Sequence, residues 1–169
     1  NMLETKLFSK STNMSDNWIK DKTQKLEKYI STKLDNYQFS GIGIYIQDFI
    51  ENLNNIYIKL NRHRFKDQVN LDDTVTALAT LKWCLHNISI IMCPFTPFLS
   101  NYMYIGLDYN TSVHQKQYSD LYKCETSEDM DISFKILNVI INNIRKFRGN
   151  NISGKYPISK LNIDLDVNI

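Results

Sequence analysis

Apolar side chains recur at helical spacing along most of this chain. Trp18, Ile19, Leu26, Tyr29, Ile30 and Leu34 follow at mixed three- and four-residue steps, predicting a first helix that opens at Asp16, a residue suited to capping free backbone N–H groups. After a short connection through Asp35, Asn36 and Tyr37, a second series begins. Phe39, Ile42, Ile46, Phe49, Ile50, Leu53, Tyr57 and Leu60 keep the helical period for about 25 residues, or roughly 40 Å of rise. Asp72 and Asp73 favour a third helix start, and Leu78, Leu81, Leu85, Ile88 and Met92 carry it up to Pro94, which breaks it. Pro97 suits the first position of a shorter fourth helix with Phe98, Leu99, Tyr102 and Met103, stopped at Gly106. An irregular acidic loop follows. Ser127 and Glu128 then open a fifth helix with Met130, Phe134, Leu137, Ile140, Ile141, Ile144 and Phe147 on one face, ended by Gly149. Leu161, Ile163, Leu165 and Val167 alternate with polar residues, as in a half-buried strand. The pattern predicts a mostly α fold, a helical bundle of about five helices with a short C-terminal β-strand.

Composition supports this reading. The chain has 169 residues, 43% of them hydrophobic, enough for one sizeable core, and its five Gly and three Pro argue against a turn-dense sandwich or a Gly-rich phosphate loop. Cys84, Cys93 and Cys124 are odd in number and lack CxxC spacing, which predicts reduced thiols, a cytoplasmic setting and no metal site. The longest apolar stretch, Ile88 to Leu99, is broken by Pro94 and Pro97 and falls short of the roughly 20 residues of a membrane span, so no membrane partner is expected. The N-terminus lacks the apolar run of a signal peptide, and the opening Asn is what an excised piece of a longer protein would show.

Net charge is only +2, so any nucleic-acid footprint must come from local clustering. Lys59, Arg62, Arg64 and Lys66 fall between Asn55 and Lys66 with no carboxylate among them. A second group, Arg145, Lys146, Arg148, Lys155 and Lys160, is equally free of acids, whereas six carboxylates lie between Asp108 and Asp131. On a helical wheel Asn55, Lys59, Arg62 and Lys66 form one stripe opposite Phe49, Leu53, Tyr57 and Leu60. Any amphipathic helix puts cations in water; this one lacks the Glu or Asp at ion-pair spacing that usually accompanies them. Arg145 and Arg148 sit near the end of the fifth helix, where cations also suit the helix dipole. No catalytic group emerges: His63, His86 and His114 are far apart, and no GxSxG, HExxH or Walker-type loop is present.

Taken in order, SDNWIK, LDNY, DFIENLNNIYIKLNRHRF, TALATLKWCL, MCPFTPFLSNYMY, SVH and KYPISKLNI resemble the anticodon-binding region of isoleucyl-tRNA synthetases of the eukaryotic cytosolic type, over about residues 13 to 167. That family opens its helical region with Asp-x-Trp-Ile, as Asp16, Trp18 and Ile19 do here. It continues through an Arg-rich Asn-Trp-Tyr-x-Arg segment and closes its core with Ala-Pro-Phe-x-Pro-Phe. Ser112-Val113-His114 and Lys155-Tyr156-Pro157 favour the isoleucine enzyme over the leucine, valine and methionine relatives that share this class I synthetase domain.

The resemblance implies a lead-in at residues 1–12 from a catalytic part, a helical anticodon-binding domain at 13–150, and a C-terminal extension at 151–169 that starts a further module. It also implies a non-catalytic, monomeric tRNA-binding fragment of a ligase that uses ATP and Mg in another domain and edits in an inserted one. His-x-Gly-His and Lys-Met-Ser-Lys-Ser type signatures are absent from this stretch, so no cofactor is expected here. By the same resemblance Asn55 and Lys59 match an Asn and an Arg that contact anticodon bases. Arg62 and Arg64 match the arginine-rich run, and Arg145 and Arg148 an Arg-x-x-Arg near the end. Ile56 stands where Trp is usual and Lys59 where Arg is usual, exchanging a bidentate fork for a point charge. Arg64 ranks below Arg62 because its position also suits the core edge. Alternatives are a leucyl, valyl or methionyl synthetase domain, or a helical protein-interaction module whose basic stripe is merely solvated.

Overall fold

In the computed structural model, which describes residues 2–9, 11–66, 70–124 and 129–151 together with Lys160 and Asn162, the periodic segments are helical. Helices α1 (Met2–Leu7), α2 (Met14–Asp35), α3 (Ile42–Glu51), α4 (Leu71–Met92), α5 (Pro97–Ile105) and α6 (Asp129–Asn151) succeed one another, with a π-helical continuation of α3 at Asn52–Ile58. No strand occurs among the described residues, and the expected strand at Leu161 to Val167 lies outside them.

The chain forms two compact units, Asn1–Asp131 and Ile132–Ile169. In the first, α4 is the central element, packed against α1, α2 and α5. Although α4 is long and apolar enough to cross a membrane, 67% of its most apolar window is buried within the bundle, which makes it the core helix. Trp18, Ile19 and Ile30 from α2 and Trp83, Ile88 and Ile91 from α4 are almost fully buried. Each such aliphatic side chain stabilises the fold by about 1.5–3 kcal/mol.

Local chemistry explains most boundaries. Asn13 caps α2, its side chain accepting from the Ser15 N–H, so the helix starts earlier than expected and Asp16 lies in its first turn. Asn70 caps α4 by accepting from the Asp73 N–H at 2.7 Å. Pro97 occupies the first turn of α5 and Gly106 its C-cap, as the sequence predicts. Gly41 precedes α3 at φ +83°, a left-handed conformation that L side chains rarely adopt. The segment read as a lead-in is itself helical: Leu7 of α1 is buried, and Lys6 Nζ lies 2.8 Å from Asp72 Oδ1.

Two expectations for the last helix are corrected. It runs through Gly149 to Asn151, since Gly in a last turn weakens a helix without obliging it to stop. Phe147, assigned to the apolar face, is 58% exposed, whereas Phe134 is buried. The proposed opening at Ser127 and Glu128 lies outside the described residues.

Candidate nucleic-acid interface

The basic segment does not form the single helical stripe that its spacing predicts. From Asn52 to Ile58 the chain is π-helical, which widens the turn and shifts every later side chain around the axis. Ile56 thereby joins Leu53 and Tyr57 in the core at 7% exposure, while Leu60, placed on the packing face by the wheel, is 40% exposed. Ile56 is thus a core residue in this chain. The regular helix ends at Leu60, Asn61 to His63 form a turn, and Arg64–Lys66 close a 3-10 turn. Asn55 and Lys59 therefore share an exposed helical face, whereas Arg62 and Lys66 project from the turns that follow.

Arg64 is the clear correction. Its side chain is fully buried and all five guanidinium N–H groups are engaged, so it is not available to a phosphate. Nη1 donates to Asp16 Oδ1 at 2.8 Å and to Asn61 Oδ1 at 3.0 Å. Nη2 donates to Asp16 Oδ2 at 2.9 Å and to Asp73 Oδ1 at 2.7 Å, and Nε to Asp73 Oδ2 at 2.8 Å. Burial alone disfavours the charge, but the hydrogen bonds and charges of Asp16 and Asp73 outweigh it and hold the guanidinium above its usual range. In return, hydrogen bonding from Arg64 holds the Asp73 carboxyl below the usual carboxylate range.

The remaining lone pairs of Asp16 are used as well. It accepts from Ser11 Oγ at 2.7 Å and from the Tyr57 hydroxyl at 2.8 Å. Tyr57 is held neutral, first by burial and then by the Asp16 charge. Asn61 donates to Ser15 Oγ at 3.0 Å and to Tyr57 O at 2.8 Å, and Thr74 Oγ1 donates to Arg64 O at 2.8 Å. This network ties the starts of α2 and α4 to the turn after α3. Sequence reasoning took Asp16 for a cap and Asp73 for a dipole residue; both are ligands of one arginine. The DNWI string was the available signal, but nothing local pairs it with a residue 48 positions later.

The network rigidly mounts a cationic turn. Arg62 and Lys66 are exposed on either side of buried Arg64, with Lys59 one turn back and its Nζ donating to Asn55 Oδ1 at 2.7 Å. Among the described residues Lys59, Arg62 and Lys66 have no carboxylate partner. Exposed Asn54 and His63 border them, two polar groups that sequence reasoning did not select. Arg145 is exposed and Arg148 half-buried on α6, in the second unit. Lys59, Arg62 and Lys66, beside amide side chains, suit a nucleic-acid backbone flanked by unpaired bases. No group of three or more His, Cys, Asp and Glu that could hold a metal ion occurs among the described residues.

Residues 16–161 match the family described as the anticodon-binding domain of tRNA ligases, and the chain belongs to that family. Isoleucine–tRNA ligases are among its relatives. That of Clostridium tetani is 32% identical over 98% of this chain, and the cytoplasmic enzyme of Caenorhabditis elegans is 28% identical over 95%. The cytoplasmic enzyme of Arabidopsis thaliana is 37% identical over 57% of the chain. The chain spans only 16%, 15% and 8% of the lengths of these three relatives, in the same order.

Proposed function

We propose that this chain binds the anticodon arm of isoleucine tRNA as one domain of an isoleucine–tRNA ligase. The observation that carries the reading is the cationic turn of Lys59, Arg62 and Lys66, exposed and held by the Asp16–Arg64–Asp73 network, in a member of an anticodon-binding family. In this reading the three cations hold phosphates, Asn55 bonds base edges, and Arg145 and Arg148 of α6, in the second unit, make backbone contacts of their own. Arg64 acts from within, by positioning the turn. Isoleucine specificity is supported by the names of the relatives, which also include cytoplasmic enzymes. Activation of isoleucine with ATP and Mg, and editing, belong to other domains of such a ligase, and this monomeric domain contributes tRNA positioning.

The test is fluorescence anisotropy of the 169-residue chain with isoleucine tRNA, an anticodon-substituted version and an unrelated tRNA at two salt concentrations. Salt-sensitive binding with preference for the isoleucine anticodon is expected. Binding without preference would restrict the domain to backbone contact. Absence of binding at low salt would remove tRNA recognition from it and favour a protein-interaction role.

A further inference from the structure

The exposed turn after α3 carries, beside its fixed cations, a group whose charge depends on pH. His63 stands between Arg62 and Arg64, and its side chain is exposed. The backbone beneath it is held: the Arg64 and Phe65 N–H groups donate to Asn61 O at 2.9 and 3.2 Å, and the Lys66 N–H donates to His63 O at 3.4 Å. The guanidinium of Arg64, the next residue, anchors the turn to the bundle through Asp16, Asn61 and Asp73. Among the described residues the His63 ring itself makes no hydrogen bond. Carboxylates on the packed elements are already committed. Asp16 of α2 and Asp73 of α4 hold Arg64, and Asp72 of α4 lies 2.8 Å from Lys6 Nζ of α1. Asp73 is within electrostatic reach of the ring: the Arg64 hydrogen bond holds that carboxyl low first, and the charges of Arg64 and His63 add to it. Asp67, next after Lys66, lies outside the described residues. Within the described turn, the uncommitted charges flanking His63 are those of Arg62 and Lys66.

We propose that His63 is a proton-linked phosphate ligand: as an imidazolium it joins Arg62 and Lys66 on the tRNA backbone, and as a neutral ring it does not. The inference rests on the tRNA-binding reading above and deepens it by naming a further contact in the same turn. A protonated imidazole has two N–H donors and a full charge, so it can make a charge-assisted hydrogen bond to a phosphate oxygen. An imidazole ordinarily titrates near pH ~6.5, close enough to neutrality for a bound anion to decide its state. A phosphate laid across the turn favours the imidazolium, because an opposite charge nearby stabilises the charged form. Binding therefore takes up a proton, and by linkage the affinity rises as pH falls. Arg62 and Lys66 keep their charge throughout this range, so they supply the pH-independent part of the contact.

The experiment measures the affinity of the 169-residue chain for isoleucine tRNA at pH ~7.5 and ~6.0, each over a series of salt concentrations. The wild type is expected to bind about threefold more tightly at the lower pH, the scale of one exposed ion pair gained. Its salt slope is expected to steepen there by up to about one phosphate contact. His63→Gln is expected to abolish both changes. His63→Arg, which keeps its charge at either pH, is expected to bind at pH ~7.5 as the wild type does at ~6.0, with a slope that pH no longer moves. His114→Gln, at an exposed histidine of another segment, is expected to keep the wild-type pH dependence. Thermal melting at both pH values checks that each variant is folded. Equal wild-type affinity and slope at the two pH values, or a pH dependence that survives in His63→Gln, overturns the role of His63 while the contacts of Arg62 and Lys66 stand. Failure of the wild type to bind tRNA at low salt at either pH overturns the tRNA-binding reading and the role of His63 with it.

Discussion

Asp16→Ala isolates the interaction on which the interface stands. The substitution removes four accepted hydrogen bonds, from Ser11, Tyr57 and both Arg64 Nη atoms, and leaves a buried guanidinium with half its neutralising charge. Removing one partner of a buried ion pair costs about 3–5 kcal/mol, because the surviving charge remains out of water. Asp73 still accepts two bonds from Arg64 and Asn61 a third, which places the expected loss near the lower end, at about 3 kcal/mol. Asp73→Ala is the internal control. Its carboxylate side chain is 30% exposed, so solvent screens the pair and the loss is about 1 kcal/mol. The difference of about 2 kcal/mol is a roughly 30-fold change in unfolding equilibrium. Urea denaturation followed by fluorescence of Trp18 and Trp83, both nearly fully buried, reads it directly. A loss below about 1 kcal/mol for Asp16→Ala, or equal losses for the two variants, would refute the argument that burial of the Arg64–Asp16 pair organises this corner.

Three further outcomes are expected. Burial holds the His86 imidazole below its ordinary range, against a hydrogen bond from its Nε2 to the Asp120 carbonyl and with Lys116 and Lys82 adding to the depression. The unfolded chain therefore takes up the proton first, so stability falls as pH drops through about 6.5 towards the folded value; melting at pH 7.5 and 5.5 should show this, and His86→Phe should shrink the difference. Burial pushes the Cys84 thiol up to about 12, so limited iodoacetamide treatment at pH 8 should label Cys93 and Cys124 before Cys84, and early labelling of Cys84 in the folded chain would contradict its enclosure. In the anisotropy assay Asn55→Ala should lower discrimination among anticodons, whereas Lys66→Ala should weaken all tRNAs alike and reduce the salt slope by about one phosphate contact; equal losses for every tRNA with Asn55→Ala would remove base reading from that residue.

The hydrophobic pattern by itself determined the helical class, the order of the long helices, the start of α5 at Pro97 and the placement of the basic segment after α3. These follow from local causes: period, capping and the missing N–H of proline act within a few residues. Tertiary structure decided the rest. Four cations between Asn55 and Lys66 look alike in sequence, yet Arg64 is buried while Lys59, Arg62 and Lys66 are exposed. What separates them is that Asp16 and Asp73, brought together by the packing of α2 and α4, offer Arg64 a set of acceptors able to offset its desolvation. The π-helical turn exchanges Ile56 for Leu60 on the buried face, a shift that no fixed helical period anticipates. Periodicity records which side chains share a face, but a charge is placed by its partners, and partners distant in sequence meet only when the helices pack.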